Sequence, residues 1–308
     1  MTTKRILITG GAGFIGSHLS DALLDQGYAV RILDNLSTGK LENMRMDHSG
    51  LEFMLGSVAD AQVVAKAIEG CQAVVHLAAV ASVQASVDDP VGTHQANFIG
   101  TLNVCEAMRI AGLKRIVFAS SAAIYGDSTC EVIQEEQNKA PLTPYASDKL
   151  SSEHYLEFYK RAHGLNPVIF RFFNIFGPRQ DPSSPYSGVI SIFCQRALNG
   201  LPITVFGDGN QTRDFYYVKD LVRVLCQGLD LENSPHMAFN VGHCKSTSLN
   251  MILTSLAEVL DKELEIRFVD ARPGDILHSK ANNDRLKGHF ALGAQTSLIE
   301  GLTNLLIP

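Results

Sequence analysis

Short apolar runs alternate with amphipathic stretches through the first half of this chain. Residues 5–8, 28–33, 51–55, 73–77, 115–119 and 168–172 are compact and rich in Val, Ile, Leu and Phe. Runs of this length read as strands buried on both faces of a sheet. Between them, residues 17–24, 63–68, 97–111 and 146–163 carry apolar side chains at helical spacing. Such alternation predicts a parallel sheet with helices on both faces and right-handed crossovers. After about Asn174 the pattern loosens, and 178–188 (PRQDPSSPYSG) reads as a Pro/Ser-rich loop. The remaining short helices, strands and turns suggest a smaller cap. It is expected to be partly interleaved with the first domain and to face the strand C-termini, where ligands of open sheets bind.

The first strand leads directly into glycines. In RILITGGAGFIGSHL (5–19), Gly10, Gly13 and Gly16 stand between the apolar run and the first helical stretch. Glycines there allow a tight turn, close approach of a pyrophosphate and close packing of helix on strand. The helix N-terminus would offer its N–H groups to the phosphates. The spacing is GxxGxxG rather than GxGxxG. The second strand ends at Asp34, ~20 residues past the glycines, where a carboxylate can accept hydrogen bonds from an adenosine ribose. Its charge would repel a ribose phosphate, so NAD is favoured over NADP. A second signal lies in PYASDK (144–149), which places Tyr145 and Lys149 four residues apart on one helix face. An ammonium near a phenol favours the phenolate. A Tyr tuned in this way can remove a hydroxyl proton near neutral pH. That is the acid–base half of an alcohol oxidation, with a nicotinamide as the hydride half.

Composition narrows the class. The 308 residues suffice for one large or two modest domains, and 45% hydrophobic with 19% charged residues describes an ordinary globular enzyme. A net charge of −6 gives no support for nucleic-acid binding. Cys71, Cys105, Cys130, Cys194, Cys226 and Cys244 are scattered without CxxC or metal spacing. Reduced thiols, a cytoplasmic setting and no metal site are expected. A strand begins soon after Met1-Thr2-Thr3, which argues against a signal peptide, and no apolar stretch has membrane-spanning length.

Taken nearly end to end, the chain resembles the extended short-chain dehydrogenase/reductase family, and within it the nucleotide-sugar 4-epimerases. The landmarks are TGGAGFIG (9–16), DNLSTGK (34–40), HLAA (76–79), Asn97-x-x-Gly100-Thr101, SSAAIYG (120–126), YASDK (145–149), RFFNIFGPRQ (171–180), FGDGNQTRDFYYVKD (206–220) and RPGD (272–275). The resemblance implies a Rossmann-like doubly wound parallel α/β sheet over residues 1–174, with later segments interleaved. Residues 175–308 would form a smaller α/β substrate-binding cap. It implies NAD as cofactor, a UDP-sugar as substrate, and a homodimer built from the helices around 97–111 and 146–163. Leu102, Val104, Met108, Leu150, Tyr155 and Phe158 spread apolar surface over more than one face of those helices.

By the same resemblance Ser121, Tyr145 and Lys149 are catalytic. Ser121 would pair with Tyr145 at the reacting sugar oxygen, or else satisfy local backbone at a strand end. Lys149 would also hold the nicotinamide ribose. Gly10, Gly13, Phe14, Ile15 and Gly16 match the phosphate turn, and Asp34, Asn35, Ser37, Thr38, Gly39 and Lys40 match the adenosine-ribose loop. Ser57 and Val58 match the adenine pocket. The family usually has an acid where Ser57 stands, so an adenine amino contact there is weakened or lost. Leu77, Ala78 and Ala79 would pass beside the cofactor. Asn97 falls near the nicotinamide side, with helix capping as its alternative. Ser82 and Asn174 match substrate positions, Asn174 at the sugar diphosphate. Arg213 and Arg272 match a diphosphate clamp, and Asp275 would accept from the nucleotide ribose. Phe206 and Val189-Ile190 fall where the family holds uracil, although cap core is an equal reading of them.

The dehydratases and decarboxylases of the family carry an acid just before YG, where this chain has Ala122-Ala123-Ile124. A 4-keto sugar formed here would lack an acid to eliminate water, which leaves return of the hydride to the opposite face. Ser279 falls at a position that is bulky, often Tyr, in members restricted to UDP-glucose and UDP-galactose. A small residue there leaves room for the N-acetyl group of UDP-GlcNAc and UDP-GalNAc. A UDP-glucuronate 4-epimerase, a reductase of the same fold and a non-catalytic NAD(H) sensor are the rival readings.

Overall fold

In the computed structural model the described residues are 4–128, 130–182, 188–232, 236–271 and 277–306. The chain divides into two compact units. Unit 1 comprises 1–126, 139–171 and 222–239, and unit 2 comprises 127–138, 172–221 and 240–308.

Unit 1 is built on a sheet whose first six strands are β1 (Arg5–Thr9), β2 (Ala29–Asp34), β3 (Leu51–Leu55), β4 (Ala73–His76), β5 (Arg115–Ser121) and β6 (Asn166–Phe172). With the strand Ala238–Val241 it is seven-stranded, in the order Ala238–Val241, β6, β5, β4, β1, β2, β3. The pairs β1–β2, β1–β4, β2–β3 and β4–β5 are all parallel. The strand order reverses beside β1, the switch point at which doubly wound sheets bind ligands. Leu7, Ile8, Ile32, Leu33, Val74, Val75, Ile116, Val117 and Phe118 have no more than traces of exposure, so the continuous apolar runs are the interior of the sheet.

Helices α1 (Phe14–Asp25), α2 (Ala61–Ile68), α3 (Val83–Asp88), α4 (Pro90–His94), α5 (Gly100–Ala111) and α6 (Pro144–His163) belong to this unit, as does most of the helix Val218–Asp230. Three of these starts show a side-chain cap followed by a proline or by free backbone donors. Asp60 caps α2 through Gln62 N and Val63 N, Asp89 caps α4 ahead of Pro90, and Thr143 caps α6 ahead of Pro144. Gly112 and Gly164, both left-handed, close α5 and α6. Between α4 and α5 the chain stays helical, but Gln95–Ile99 is a π-turn. The helix expected to begin near Asn97 therefore begins at Pro90.

Among the described residues, unit 2 holds three two-stranded sheets. Asn174–Phe176 pairs in parallel with Phe215–Tyr217, Ile203–Phe206 pairs in parallel with Ile266–Val269, and Thr212–Arg213 pairs antiparallel with Thr247–Ser248. Helices Val189–Leu198, Leu249–Leu260 and Leu298–Leu306 pack in this unit. Among the described residues no helix is long and apolar enough to cross a membrane. All six cysteines are free thiols.

Candidate active site

Three glycines of the first turn do three different things. Gly10 sits at φ +71°, and a Cβ on it would lie 2.7 Å from Ala78 N, so β1 turns hard against the chain leaving β4. A Cβ on Gly16 would meet Gly10 O at 2.3 Å and Gly11 Cα at 2.7 Å. This is the close helix-on-strand contact. A Cβ on Gly13 would meet only Gly10 O, at 3.3 Å, so this side of the turn is open. Gly13 is the N-cap of α1 and contributes no side-chain cap. The first-turn N–H groups of Phe14, Ile15 and Gly16, which have no partners within a helix, remain for an anion. The helix starts at Phe14 rather than at Ser17, which brings Gly16 inside its first turn.

The loop after β2 folds back on this turn. Asp34 is buried, its Oδ2 accepting from Ala12 N at 3.0 Å and its Oδ1 from Leu36 N at 2.8 Å. Lys40 N and Asn43 Nδ2 both donate to Ala12 O, at 3.0 and 2.9 Å. Asn35 Oδ1 accepts from Ser37 N at 3.1 Å, and a Cβ on Gly39 would lie 2.8 Å from Ala12 Cβ. Asn35, Ser37, Thr38 and Lys40 are exposed at the rim. An open glycine at a helix N-terminus beside a buried, backbone-anchored carboxylate fits a dinucleotide. Asn43 belongs to this construction and sequence reasoning missed it; its Asn side chain just beyond DNLSTGK is the only signal.

Farther along the sheet edge, Ser57 Oγ accepts from Ala59 N at 3.2 Å, and Val58 O accepts from Asn103 Nδ2 at 3.0 Å. Leu77, Ala78 and Ala79 are half-buried, and Ser82 caps α3 through Ala85 N at 3.0 Å. Asn97 does not cap a helix. It lies within the π-turn, 2% exposed, taking Val80 N at 2.7 Å on Oδ1 and giving Nδ2 to Val80 O at 3.1 Å. A π-turn places an extra residue in the helix and re-aims its side chain. Here that residue clamps the segment that follows Leu77-Ala78-Ala79.

His76 ties these parts together. Its Nδ1 is 2.6 Å from Thr9 Oγ1 and its Nε2 3.0 Å from Thr101 Oγ1. Thr9 Oγ1 accepts from Ala78 N, and Thr101 Oγ1 donates to Asn97 O at 2.6 Å. One proton per hydroxyl gives a neutral imidazole that accepts at Nδ1 and donates at Nε2. Burial pushes His76 down to about 3, with the Lys149 charge adding to it.

The residues of the proton-transfer group come together at the C-terminal end of β5. Tyr145 and Lys149 are 9% and 4% exposed on α6, and Ser121 is the last residue of β5. Ser121 Oγ accepts from Ala123 N at 3.1 Å, so it satisfies local backbone, and its hydroxyl also acts on the Tyr145 phenol, against the effect of burial. Lys149 Nζ donates to Ala119 O at 2.7 Å, 4.9 Å from the centre of the Phe118 ring and 5.9 Å from that of Tyr145. The electrostatics differ from the expectation of an ammonium lowering the phenol. Burial raises Tyr145, and the opposing influence is the Ser121 hydrogen bond. Lys149 is itself pulled down to about 8 by burial, with the Asp148 and Glu153 carboxylates acting the other way. The turn that follows, Ala122–Tyr125, is a 3₁₀ helix with no carboxylate.

Unit 2 carries the remaining sequence-predicted residues. Asn174 opens the strand Asn174–Phe176 and donates its N–H to Asp214 O. Val189 is partly buried at the start of its helix, whereas Ile190 is 1% exposed and belongs to the interior of the unit. Phe206 is partly buried, and its carbonyl accepts from Gln211 Nε2. Arg213 Nη1 donates to Thr212 O at 2.9 Å, and Ser279 N donates to the same carbonyl at 3.2 Å. Arg272 and Asp275 lie outside the described residues. Asp214, missed from the sequence, is buried and accepts from His243 N, Cys244 N and Ala281 N at 2.7, 2.9 and 3.0 Å. It fixes the chain beside both Arg213 and Ser279.

The chain is similar to known proteins along most of its length. Residues 6–242 match the NAD dependent epimerase/dehydratase family. A putative UDP-glucose 4-epimerase of Methanocaldococcus jannaschii is 38% identical over 273 residues, 88% of this chain and 87% of that protein. Among solved structures, a UDP-N-acetylglucosamine 4-epimerase from Methanobrevibacter ruminantium in complex with UDP-N-acetylmuramic acid superposes with a TM-score of 0.94. It has 37% identity and covers 99% of this chain and 98% of that one. The UDP-glucose 4-epimerase of Thermus thermophilus in complex with NAD gives a TM-score of 0.90 at 38% identity, covering 98% and 97%.

Proposed function

Because this chain belongs to the NAD dependent epimerase/dehydratase family, we propose that it is an isomerase that inverts C4 of a UDP-sugar. The observation that carries the reading is Ser121 acting on the buried Tyr145 phenol beside buried Lys149, followed by a turn with no carboxylate. The first part is acid–base equipment for an alcohol. The second withholds the acid that elimination would need.

NAD fits the turn at Gly10, Gly13 and Gly16, with Asp34 at its ribose and Lys149 on the nicotinamide side, and when bound it supplies reversible hydride exchange at C4. Tyr145 removes the C4 hydroxyl proton and later returns one. Ser121, which can donate and accept together, holds the sugar oxygen in line with the phenol. Lys149, largely protonated at neutral pH, stabilises negative charge as it develops on Tyr145. Between the two proton transfers the 4-keto sugar turns about its diphosphate linkage and offers its other face. Asn174, Arg213 and Arg272 would hold the diphosphate, guanidinium forks matching phosphate oxygens in pairs. Asp275 would take the nucleotide ribose, and Phe206 and Val189 the uracil.

The N-acetylated pair UDP-GlcNAc/UDP-GalNAc is the preferred substrate, with UDP-Glc/UDP-Gal also accepted. Ser279 supports this through its size, and so does the likeness to a relative described as a UDP-N-acetylglucosamine 4-epimerase. Incubation with UDP-GlcNAc, UDP-Glc and UDP-GlcA, with the sugars identified by NMR, tests the activity. Absence of any C4 epimer overturns it. Ser279→Tyr should lower kcat/KM for UDP-GlcNAc far more than for UDP-Glc. An unchanged ratio in a folded variant removes Ser279 from sugar selection.

A further inference from the structure

Directly behind the proton-transfer group lies a network of buried polar side chains. Arg171 on β6 gives Nε to Glu153 Oε1 at 2.9 Å and Nη2 to Glu153 Oε2 at 2.6 Å, while its Nη1 donates to Tyr125 OH at 2.8 Å. Ser120 Oγ donates to Glu153 Oε1 at 2.5 Å. Arg171, Glu153, Ser120 and Tyr125 are 6%, 5%, 2% and 2% exposed. A buried ion pair is weak evidence for stability, because desolvation offsets most of its attraction. Its placement carries more meaning. Glu153 is one helical turn beyond Lys149 on α6. Ser120 is the chain neighbour of Ser121 on one side and of Ala119, whose carbonyl takes Lys149 Nζ, on the other. The three-residue end of β5 is thus stitched to α6 by two buried bonds, and Arg171 fixes the carboxylate that makes one of them.

We propose that Glu153, oriented by Arg171, is a positioning residue for the proton-transfer group. It holds Ser120, and through the backbone Ser121, in line with Tyr145, and it places a negative charge beside Lys149. The inference rests on the reading of Ser121, Tyr145 and Lys149 given above. The direction of the Lys149 titration agrees, since Glu153 is one of the two carboxylates that oppose burial there. Position and charge are separable. Glu153→Asp keeps the charge on a shorter arm that cannot span both Ser120 and Arg171. Glu153→Gln keeps the length and an acceptor but removes the charge.

The experiment combines steady-state kinetics on a UDP-sugar with NMR titration of the Lys149 side chain in the protein without substrate. Glu153→Gln should move the Lys149 midpoint down by roughly half a unit or more, and the alkaline limb of kcat should move with it. Glu153→Asp should leave the midpoint in place and lower kcat about tenfold with KM little changed. Ser120→Ala disturbs no charge and should lower kcat by about tenfold, the scale of one hydrogen bond to a carboxylate. It decides the positioning part even if the Glu153 variants do not fold. A Lys149 midpoint and alkaline limb unchanged in folded Glu153→Gln overturn the charge part, and wild-type kcat in Ser120→Ala overturns the positioning part. Tyr145→Phe is run alongside. If it turns over normally, the reading beneath the inference fails; if it is inactive while the other variants behave as wild type, the inference alone fails.

Discussion

At Tyr145 and Lys149 burial opposes the charged form of each group, and the site answers with directed contacts. The phenol is raised by burial and held by Ser121; the ammonium is lowered to about 8 and supported by two carboxylates. Removing the phenolic oxygen should therefore be costly. Tyr145→Phe is expected to reduce epimerisation by roughly 10²–10⁴-fold while NAD binding, measured by fluorescence titration, stays near normal. His76 offers a test in acid. Its folded value of about 3 lies below its ordinary 6.5, so its contribution is present above 6.5 and is lost as pH falls toward 3. The loss is ~1.4 kcal/mol per pH unit in that window. Lys149, lowered to about 8, is already protonated throughout it. Asp214, raised to about 6 by burial against several backbone donors, acts in the opposite sense. The readout is therefore the difference between wild type and His76→Gln. Urea unfolding between pH 7 and 4.5 should show a steeper loss for wild type, and parallel curves would show that His76 does not titrate as proposed. None of this tuning was legible in the sequence. YASDK announces the two residues but not the burial that raises Tyr145, nor the Ala119 carbonyl that takes the lysine.

Single elements were legible where the cause is local. The apolar runs became β1 to β6 with small shifts at the ends, because a strand buried on both faces has to be continuously apolar. Helix starts were read too late. Thr143-Pro144 and Asp89-Pro90 are N-cap and first-turn signals that the apolar periodicity beginning a few residues later concealed. The π-turn around Asn97 has no periodic signature, and the strand Ala238–Val241 joins β6 from far along the chain, which no local pattern can report. The network of Glu153, Arg171, Ser120 and Tyr125 likewise exists only once β5, β6 and α6 are neighbours. At this scale the glycine turn makes a paired prediction. Gly16→Ala drives a Cβ into backbone at 2.3 Å and should destabilise unit 1 by about 1–3 kcal/mol. Gly13→Ala meets one atom at 3.3 Å and should fold nearly normally, yet weaken NAD binding by crowding the open side of the turn. Denaturant titration and NAD titration of both variants separate packing from ligand approach, and equal NAD affinities for Gly13→Ala and wild type would remove Gly13 from the phosphate site.

For the whole molecule the question is assembly, and the faces of α4 to α6 supply the argument. Val104 and Met108, expected among the apolar residues of more than one face, are wholly buried in unit 1. Tyr155 and Phe158 are 42% and 47% exposed, and Val91 and Ile110 are 71% and 75% exposed. The half-exposed aromatics are ordered among themselves. His94 stacks on Phe98 at 5.2 Å, Phe98 meets Tyr155 edge-on at 5.0 Å, and Phe158 meets Tyr159 edge-on at 5.5 Å. Aromatic side chains fixed on helix faces with their outer surfaces uncovered suit a protein–protein contact, where such residues concentrate binding energy. A homodimer that pairs these helices is the expected assembly, and a stable one would bury about 1,200–2,000 Å² in total. Sedimentation at micromolar concentration should show a dimer. Tyr155→Glu with Phe158→Glu should give a monomer whose unit 1 remains folded, because neither side chain is part of the buried core. A wild-type monomer, or a dimer that survives both substitutions, would place the interface elsewhere or remove it.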